Sequence, residues 1–338
     1  MVSGVVLAVI VSVLFAVYAV PRKFSKQNAV LYTMWVGVAY LIGSMAVCSV
    51  VWGFGLREQE NLLNRWHLLT VLRGVVWVCG IASFNVAIDK IGLVRFNQWK
   101  NFQGPIGTLL MLVFLDEIVG IKVVWLLAGM TAMFISAVLF TIKSGDDDKQ
   151  SNQSWIFHGI STAGAQEGMS TALRLFGRLA LLRTIATKPH EISGLSGILY
   201  ALFAAACFGV TAFINKIVTN QGFIYSQLLY HSLSVVVSAA IIFIIQTRKP
   251  REIFCVSREN LLPAMSGAMF LVGTILSMFS YTMIAGGVAW SITQLNAVWT
   301  ILIGIIIFRE VSFRKHRRRI ITGFAFALTA IAFLLFAL

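Results

Sequence analysis

Residues 2–23, VSGVVLAVIVSVLFAVYAVPRK, are echoed 193 places later by residues 195–216, LSGILYALFAAACFGVTAFINK. At that offset Ser3 and Gly4 fall on Ser196 and Gly197, Phe15 on Phe208, and Lys23 on Lys216. The register holds further along the chain. Tyr32 meets Tyr225, Gly74 meets Gly267, Gly80 meets Gly273, Glu117 meets Glu310 and Lys122 meets Lys315. Apolar coincidences are cheap in such a sequence, but ordered matches of Lys, Tyr, Glu and Gly are not. Residues 2–143 and 195–338 therefore read as two copies of one unit, joined by a linker over 144–194.

Working outward, each copy holds five apolar segments, and a bilayer crossing needs about 20 apolar residues. The first copy supplies 2–20, 29–54, 67–88, 91–115 and 123–142, and the second 195–214, 223–245, 261–283, 288–308 and 320–338. An odd number per copy makes the second enter the bilayer from the opposite side. The expected fold is an all-α polytopic membrane protein with ten transmembrane helices in two inverted five-helix repeats, an arrangement common in secondary transporters.

Composition agrees with a bilayer. The 338 residues are 58% hydrophobic and 12% charged, with a mean hydropathy of +0.85, beyond the roughly half-apolar usage of soluble domains. The first segment resembles the core of a signal peptide, but nothing basic precedes it and it runs long for one, so it is expected to stay as a helix. Cys48, Cys79 and Cys207 lie in apolar segments and Cys255 in a loop, without a CxxC pair or a neighbouring His. They read as small hydrophobes rather than metal ligands, and no cofactor is expected.

The net charge of +14 has a simpler source than nucleic acid, because cytoplasmic loops of membrane proteins collect Lys and Arg. The odd-numbered connections carry 20 of the 27 basic residues and the even-numbered ones four. This bias puts both termini outside and the odd connections in the cytoplasm, in a plasma (inner) membrane. Within the linker, Arg174, Arg178 and Arg183 are spaced among Leu, Phe and Ile residues. That spacing fits either an interfacial amphipathic helix or an ordinary linker helix. Asn152-Gln153-Ser154 matches a glycosylation sequon but falls on the cytoplasmic side by charge.

The usual catalytic constellations are missing, and no Asp or Glu lies inside an apolar segment, so an enzyme is not expected. Polar residues within the segments are more telling, since each is costly unless it faces a cavity or a partner. The fourth segment reads Arg95-Phe96-Asn97-Gln98-Trp99-Lys100-Asn101-Phe102-Gln103-Gly104-Pro105. Helical spacing puts Asn97, Lys100, Asn101 and Gly104 on one face. Lys100 lies about 14 Å beyond Ile91 at ~1.5 Å per residue, where an ammonium costs roughly 2.5–3.5 kcal/mol. Either it lines a pathway, or the helix starts nearer Asn97 and Lys100 snorkels to the interface. Gly104 and Pro105 are expected to weaken the helix below this patch.

The equivalent ninth segment is polar without charge, at Trp290, Ser291, Thr293, Gln294, Asn296 and Trp299. Asn101 aligns with Gln294 and Gln103 with Asn296. Amides and hydroxyls at matching depth suit a polyhydroxylated ligand, and Trp99, Trp290 and Trp299 offer faces for a sugar ring. Helix-to-helix hydrogen bonding is the competing role. In the seventh segment Gln227, His231, Ser234 and Ser238 share a face, opposite apolar counterparts in the first copy. His231 is a candidate for proton coupling because His titrates near neutrality, and equally for a structural hydrogen bond. Arg73, in the third segment, either snorkels or points into a vestibule.

Gly287-Val288-Ala289-Trp290-Ser291-Ile292-Thr293-Gln294-Leu295, running on to Ile307-Phe308-Arg309-Glu310, resembles the ninth helix of the glucose/ribose porter family of the drug/metabolite transporter superfamily. There a Ser-x-x-Gln-Leu segment leads to a Gly-Glu ending; here Arg309 replaces the glycine. Ile91-Gly92-Leu93 to Phe114-Leu115-Asp116-Glu117 is similar to that family's fourth helix, with Arg95 and Lys100 where small polar residues are usual. Val17-Tyr18-Ala19-Val20-Pro21-Arg22-Lys23 resembles the start of rhamnose-proton transporters. The resemblance implies monosaccharide uptake by proton symport through a cavity between helices 1–4 and 6–9, with helices 5 and 10 peripheral. Lacking an intramembrane carboxylate, the chain would carry the proton on His231 or an end-placed Glu. The expected substrate-binding residues are Asn97, Lys100, Asn101, Gln103, Gln227, Trp290, Ser291, Gln294 and Asn296. Export or exchange of amino acids or anionic metabolites is the alternative, and a non-transporting scaffold or receptor the alternative of another class.

Overall fold

The computed structural model describes residues 2–54, 64–91, 96, 99–115, 122–139, 194–308 and 313–337, and among them there is no strand. The helices are α1 (Val2–Val17), α2 (Ala29–Gly53), α3 (Arg65–Ile91), α4 (Gln103–Phe114) and α5 (Val123–Leu139) in the first half. The second half holds α6 (Gly194–Asn220), α7 (Ser226–Thr247), α8 (Leu261–Met283), α9 (Gly286–Thr293), α10 (Asn296–Ile306) and α11 (Phe313–Ala337). Seven helical spans among the described residues are long and apolar enough to cross a bilayer. The protein is a multi-pass integral membrane protein. The expected linker over 144–194, with Arg174, Arg178, Arg183 and the Asn152 sequon, lies outside the described residues apart from Gly194, as do Glu117 and Glu310.

Local chemistry sets several helix ends. Asn28 caps α2 by accepting from the Val30 and Leu31 amides, which satisfies donors that have no intrahelical partner. Pro21 and Pro250 each open a short 3₁₀ turn, where the missing N–H costs nothing. Gly222, at φ 85°, reverses the chain between α6 and α7, a conformation cheap only for glycine. α6 runs past the apolar boundary expected at 214, and Lys216 Nζ near its end donates to the Tyr281 carbonyl at 2.7 Å.

The two halves interleave. α1 packs on α8 and α3 on α6; α2 packs on α8 and α7 on α3; α4 packs on α6 and α10 on α1. α2 also pairs with α7, and α5 with α11. Glycines sit at the closest of these approaches, as expected where helices meet without a hydrophobic driving force. A methyl at Gly273 would stand 2.7 Å from the Phe15 ring, and one at Gly80 would stand 2.9 Å from Cys207 Cβ and 3.1 Å from the Phe208 ring. Aromatic rings fill the centre, where Trp77 and Phe270 lie 4.7 Å apart between centroids.

The ninth segment departs from a continuous helix, and the fourth is interrupted one turn earlier than the expected weakening at Gly104 and Pro105. In the first half a turn at Asn101 and Phe102 precedes α4, with Phe102 N–H donating to Trp99 O and Gly104 N–H to Asn101 O. In the second half α9 and α10 are separated at Gln294 and Leu295, with Leu295 N–H donating to Ile292 O and Ala297 N–H to Gln294 O. These breaks are 193 residues apart and share one hydrogen-bond pattern. Pro105 lies in the first turn of α4, where proline is tolerated, so the break precedes Gly104 and Pro105 rather than following them.

Candidate functional site

Both broken segments border a central cavity that is partly open to solvent. α1 contributes Phe15, with Tyr18 just beyond it, and α3 contributes Arg73 and Trp77. Lys100 and Gln103 face in from the fourth segment, Trp290 and Asn296 from the ninth. α6 adds Phe208, Thr211 and Asn215, and α8 adds Phe270, Thr274, Ser277 and Tyr281. The lining lies mid-helix and toward the end where α6 and α8 finish and α9 begins.

The ninth segment is broken because side chains replace the backbone donor at a key carbonyl. Thr293 Oγ1 and Gln294 Nε2 both donate to Trp290 O, at 2.7 and 3.0 Å, while Gln294 N–H turns to Ser291 O. This is the competition by which short polar side chains unsettle a helix interior. Gln294 Oε1 then accepts from Gln103 Nε2 at 2.8 Å, and Trp290 Nε1 donates to Gln103 O at 3.0 Å. The two breaks are thus tied directly to each other.

Two cations stand in the cavity wall. Arg73 is 2% exposed and Lys100 3%, so neither reaches the surface by snorkelling. Arg73 Nη1 donates to Gln227 Oε1 at 3.1 Å, and Gln227 Nε2 donates to Thr219 Oγ1 at 3.0 Å. Arg73 Nε has no partner among the described residues. Lys100 Nζ lies over the Phe84 and Phe208 rings, at 5.6 and 5.9 Å from their centroids. Asn215 Oδ1 and Asn296 Oδ1, also in this wall, are buried and unpartnered among the described residues.

The residues expected at a binding site therefore divide. Lys100, Gln103, Trp290 and Asn296 line the cavity. Asn101, Ser291 and Gln294 instead line a smaller crevice between α4, α5, α9 and α11, together with Gly104 and Pro105. The turn at residues 101–102 rotates Asn101 and Gly104 away from the face of Lys100, which a continuous helix would have shared. Asn97 and Arg95 lie outside the described residues. Ser291 Oγ is hydrogen-bonded to Thr108 Oγ1 at 2.9 Å. Trp299 donates to Ser12 at 2.9 Å, and Trp99 stacks beside Phe102, so of the three expected ring platforms Trp290 alone faces the cavity.

The polar stripe of the seventh segment joins helices. Gln227 meets Arg73, Ser234 Oγ donates to Val71 O at 2.7 Å, and His231 Nδ1 lies 3.1 Å from the Tyr40 hydroxyl. His231 packs edge-on to Trp77, a cavity-lining residue. Sequence reasoning passed over Thr211 with Asn215, and Thr274 with Ser277. Their i, i+4 and i, i+3 spacings, together with Tyr281, formed a legible signal on α6 and α8.

The opposite end of the bundle is tied together by an ion pair and hydrogen bonds. Arg22, 4% exposed, forms an ion pair with Asp89 at the end of α3, donates to Gln27 O at 2.8 Å, and lies over the Tyr32 ring. The Tyr32 hydroxyl is 2.7 Å from Ser266 Oγ, which in turn donates to Tyr18 O at 2.7 Å. At the 193-residue offset Arg22 corresponds to Asn215 and Asp89 to Thr282, so this latch is not repeated chemically at the other end.

Among the described residues no group of three or more His, Cys, Asp or Glu is placed to hold a metal. The chain matches no known protein family, and no curated protein is detectably similar to it.

Proposed function

We propose that this protein is a secondary transporter that moves a small polar metabolite across a plasma (inner) membrane by alternating access. In this reading the ten segments form two inverted five-helix repeats, with both termini outside. The observation that carries it is the central cavity bordered by two helices broken at positions 193 residues apart, since discontinuous helices meeting at a midplane site are a recurrent transporter design. The contacts support the same reading: exchanging each helix for its counterpart maps α1 on α8 to α6 on α3, and α4 on α6 to α10 on α1. A cavity toward one end and an ionic closure at the other fit one of two access states. The charge bias makes the closed end cytoplasmic.

Hydroxyls at Thr211, Thr274 and Ser277, amides at Asn215 and Asn296, and the Trp77 and Phe270 faces suit a polyhydroxylated cargo such as a monosaccharide or its derivative. The rival is a scaffold that keeps the fold without moving anything. Proteoliposomes loaded with labelled hexoses, pentoses, sugar acids, sugar phosphates and amino acids separate the two. A transporter accumulates or exchanges at least one of them, and loses that activity in Asn215→Ala and Asn296→Ala while inserting normally. A protein that inserts but moves none of these classes is a scaffold.

A further inference from the structure

Arg73 and Lys100 differ from the other fully buried cations among the described residues, Arg22 and Lys216, in having no anion and no carbonyl bonded to them. Arg22 has Asp89 and the Gln27 carbonyl, and Lys216 has the Tyr281 carbonyl. Arg73 has a neutral amide and Lys100 two ring faces. The described carboxylates are Asp89, Glu252 and Glu259, and none lines the cavity. The repeat itself does not require this charge, because the positions 193 residues on from Arg73 and Lys100 are Ser266 and Thr293. Ionisable groups at membrane depth normally find a partner of opposite charge or mark a solute's path.

We propose, resting on the transport reading above, that the cargo is an anion bearing a carboxylate or phosphate group, held by Arg73 and Lys100. A guanidinium presents a planar fork that matches either oxyanion, and an ammonium adds a compact point charge. The unpartnered Arg73 Nε leaves one donor of that fork unused by the described residues. Asn215, Thr211 and Ser277 face the same space and serve the hydroxylated part of the solute. The cavity then discriminates by charge first and hydroxyl pattern second.

Purified full-length protein is tested by thermal shift and by proteoliposome uptake with glucose, gluconate, glucose 6-phosphate and inorganic phosphate at matched ionic strength. A ligand that binds only the folded state raises apparent stability. Gluconate or glucose 6-phosphate is expected to stabilise the protein and to be taken up, whereas glucose is not. The gluconate and phosphate arms separate carboxylate from phosphoryl recognition. Lys100→Gln and Arg73→Gln are each expected to weaken anion binding at least tenfold, about 1.4 kcal/mol, with Arg73→Lys intermediate. Should Arg73→Gln fail to fold, Lys100→Gln decides alone. Equal stabilisation and uptake of glucose and the anions overturns the anion assignment and leaves transport standing. So does Lys100→Gln binding anions within twofold of the parent. Anion stabilisation that Lys100→Gln removes, without uptake of any solute, keeps the site and removes the transport reading.

Discussion

Replacing Asp89 with Asn tests the closed end of the bundle. Arg22 is nearly inaccessible while Asp89 is 53% exposed, so the pair lies between two regimes. A fully exposed ion pair contributes up to about 1 kcal/mol, and a hydrogen bond to a charged group about 1.5–3 kcal/mol. Arg22 keeps the Gln27 carbonyl and the Tyr32 face after the substitution, which argues for the lower part of that span, about 1.4 kcal/mol. In a two-state equilibrium this moves the ratio of the arrangements about tenfold, toward the one in which this end opens. The assay is thiol labelling of Ser266→Cys, behind the latch, in a background with Cys48, Cys79, Cys207 and Cys255 replaced. A membrane-impermeant maleimide applied from that side is expected to react about tenfold faster in Asp89→Asn than in the Ser266→Cys parent. Exchanging the pair, as Arg22→Asp with Asp89→Arg, is expected to return the rate toward the parental value. A labelling rate within twofold of the parent in Asp89→Asn would refute the latch.

Three other outcomes are expected. Gly80→Ala and Gly273→Ala each press a methyl onto Phe208 or Phe15 and should cost about 1–3 kcal/mol by overpacking, read as similar falls in thermal midpoint; a cost at one site only would break the equivalence of the two helix crossings. Gln294→Ala strips Gln103 of its amide partner and should destabilise by about 1–3 kcal/mol, without the tenfold loss of ligand binding expected for Lys100→Gln. His231→Gln retains a polar group toward Tyr40, and among the described residues no hydrogen bond joins His231 to the cavity lining, so proteoliposome uptake should respond to an imposed pH gradient as in the parent. Loss of that response would return His231 to a coupling role.

Much of the architecture was legible because hydropathy and repetition are local properties. Apolar runs of span length, an excess of basic residues in alternate connections, and the matched Gly80 and Gly273 required no three-dimensional knowledge to find. The polarity of the fourth and ninth segments was equally visible, and Lys100, Gln103, Trp290 and Asn296 do meet in one cavity. Their neighbours Asn101, Ser291 and Gln294 carry the same chemistry yet face another void. Residue type could not separate the two groups, since an amide serves a solute and a neighbouring helix equally well.

The sequence by itself determined that the chain dwells in a bilayer, that residues 2–23 are echoed at 195–216, and where polar side chains fall within the apolar segments. Only the tertiary structure decided that the ninth segment breaks at Gln294, because the break depends on which donors reach the Trp290 carbonyl. It also decided that Arg73 and Lys100 border one cavity, although they lie on different helices and 27 positions apart. A cation's partner is set by what packs around it rather than by what precedes it. For these two, among the described residues, the packing supplies rings and an amide but no acid.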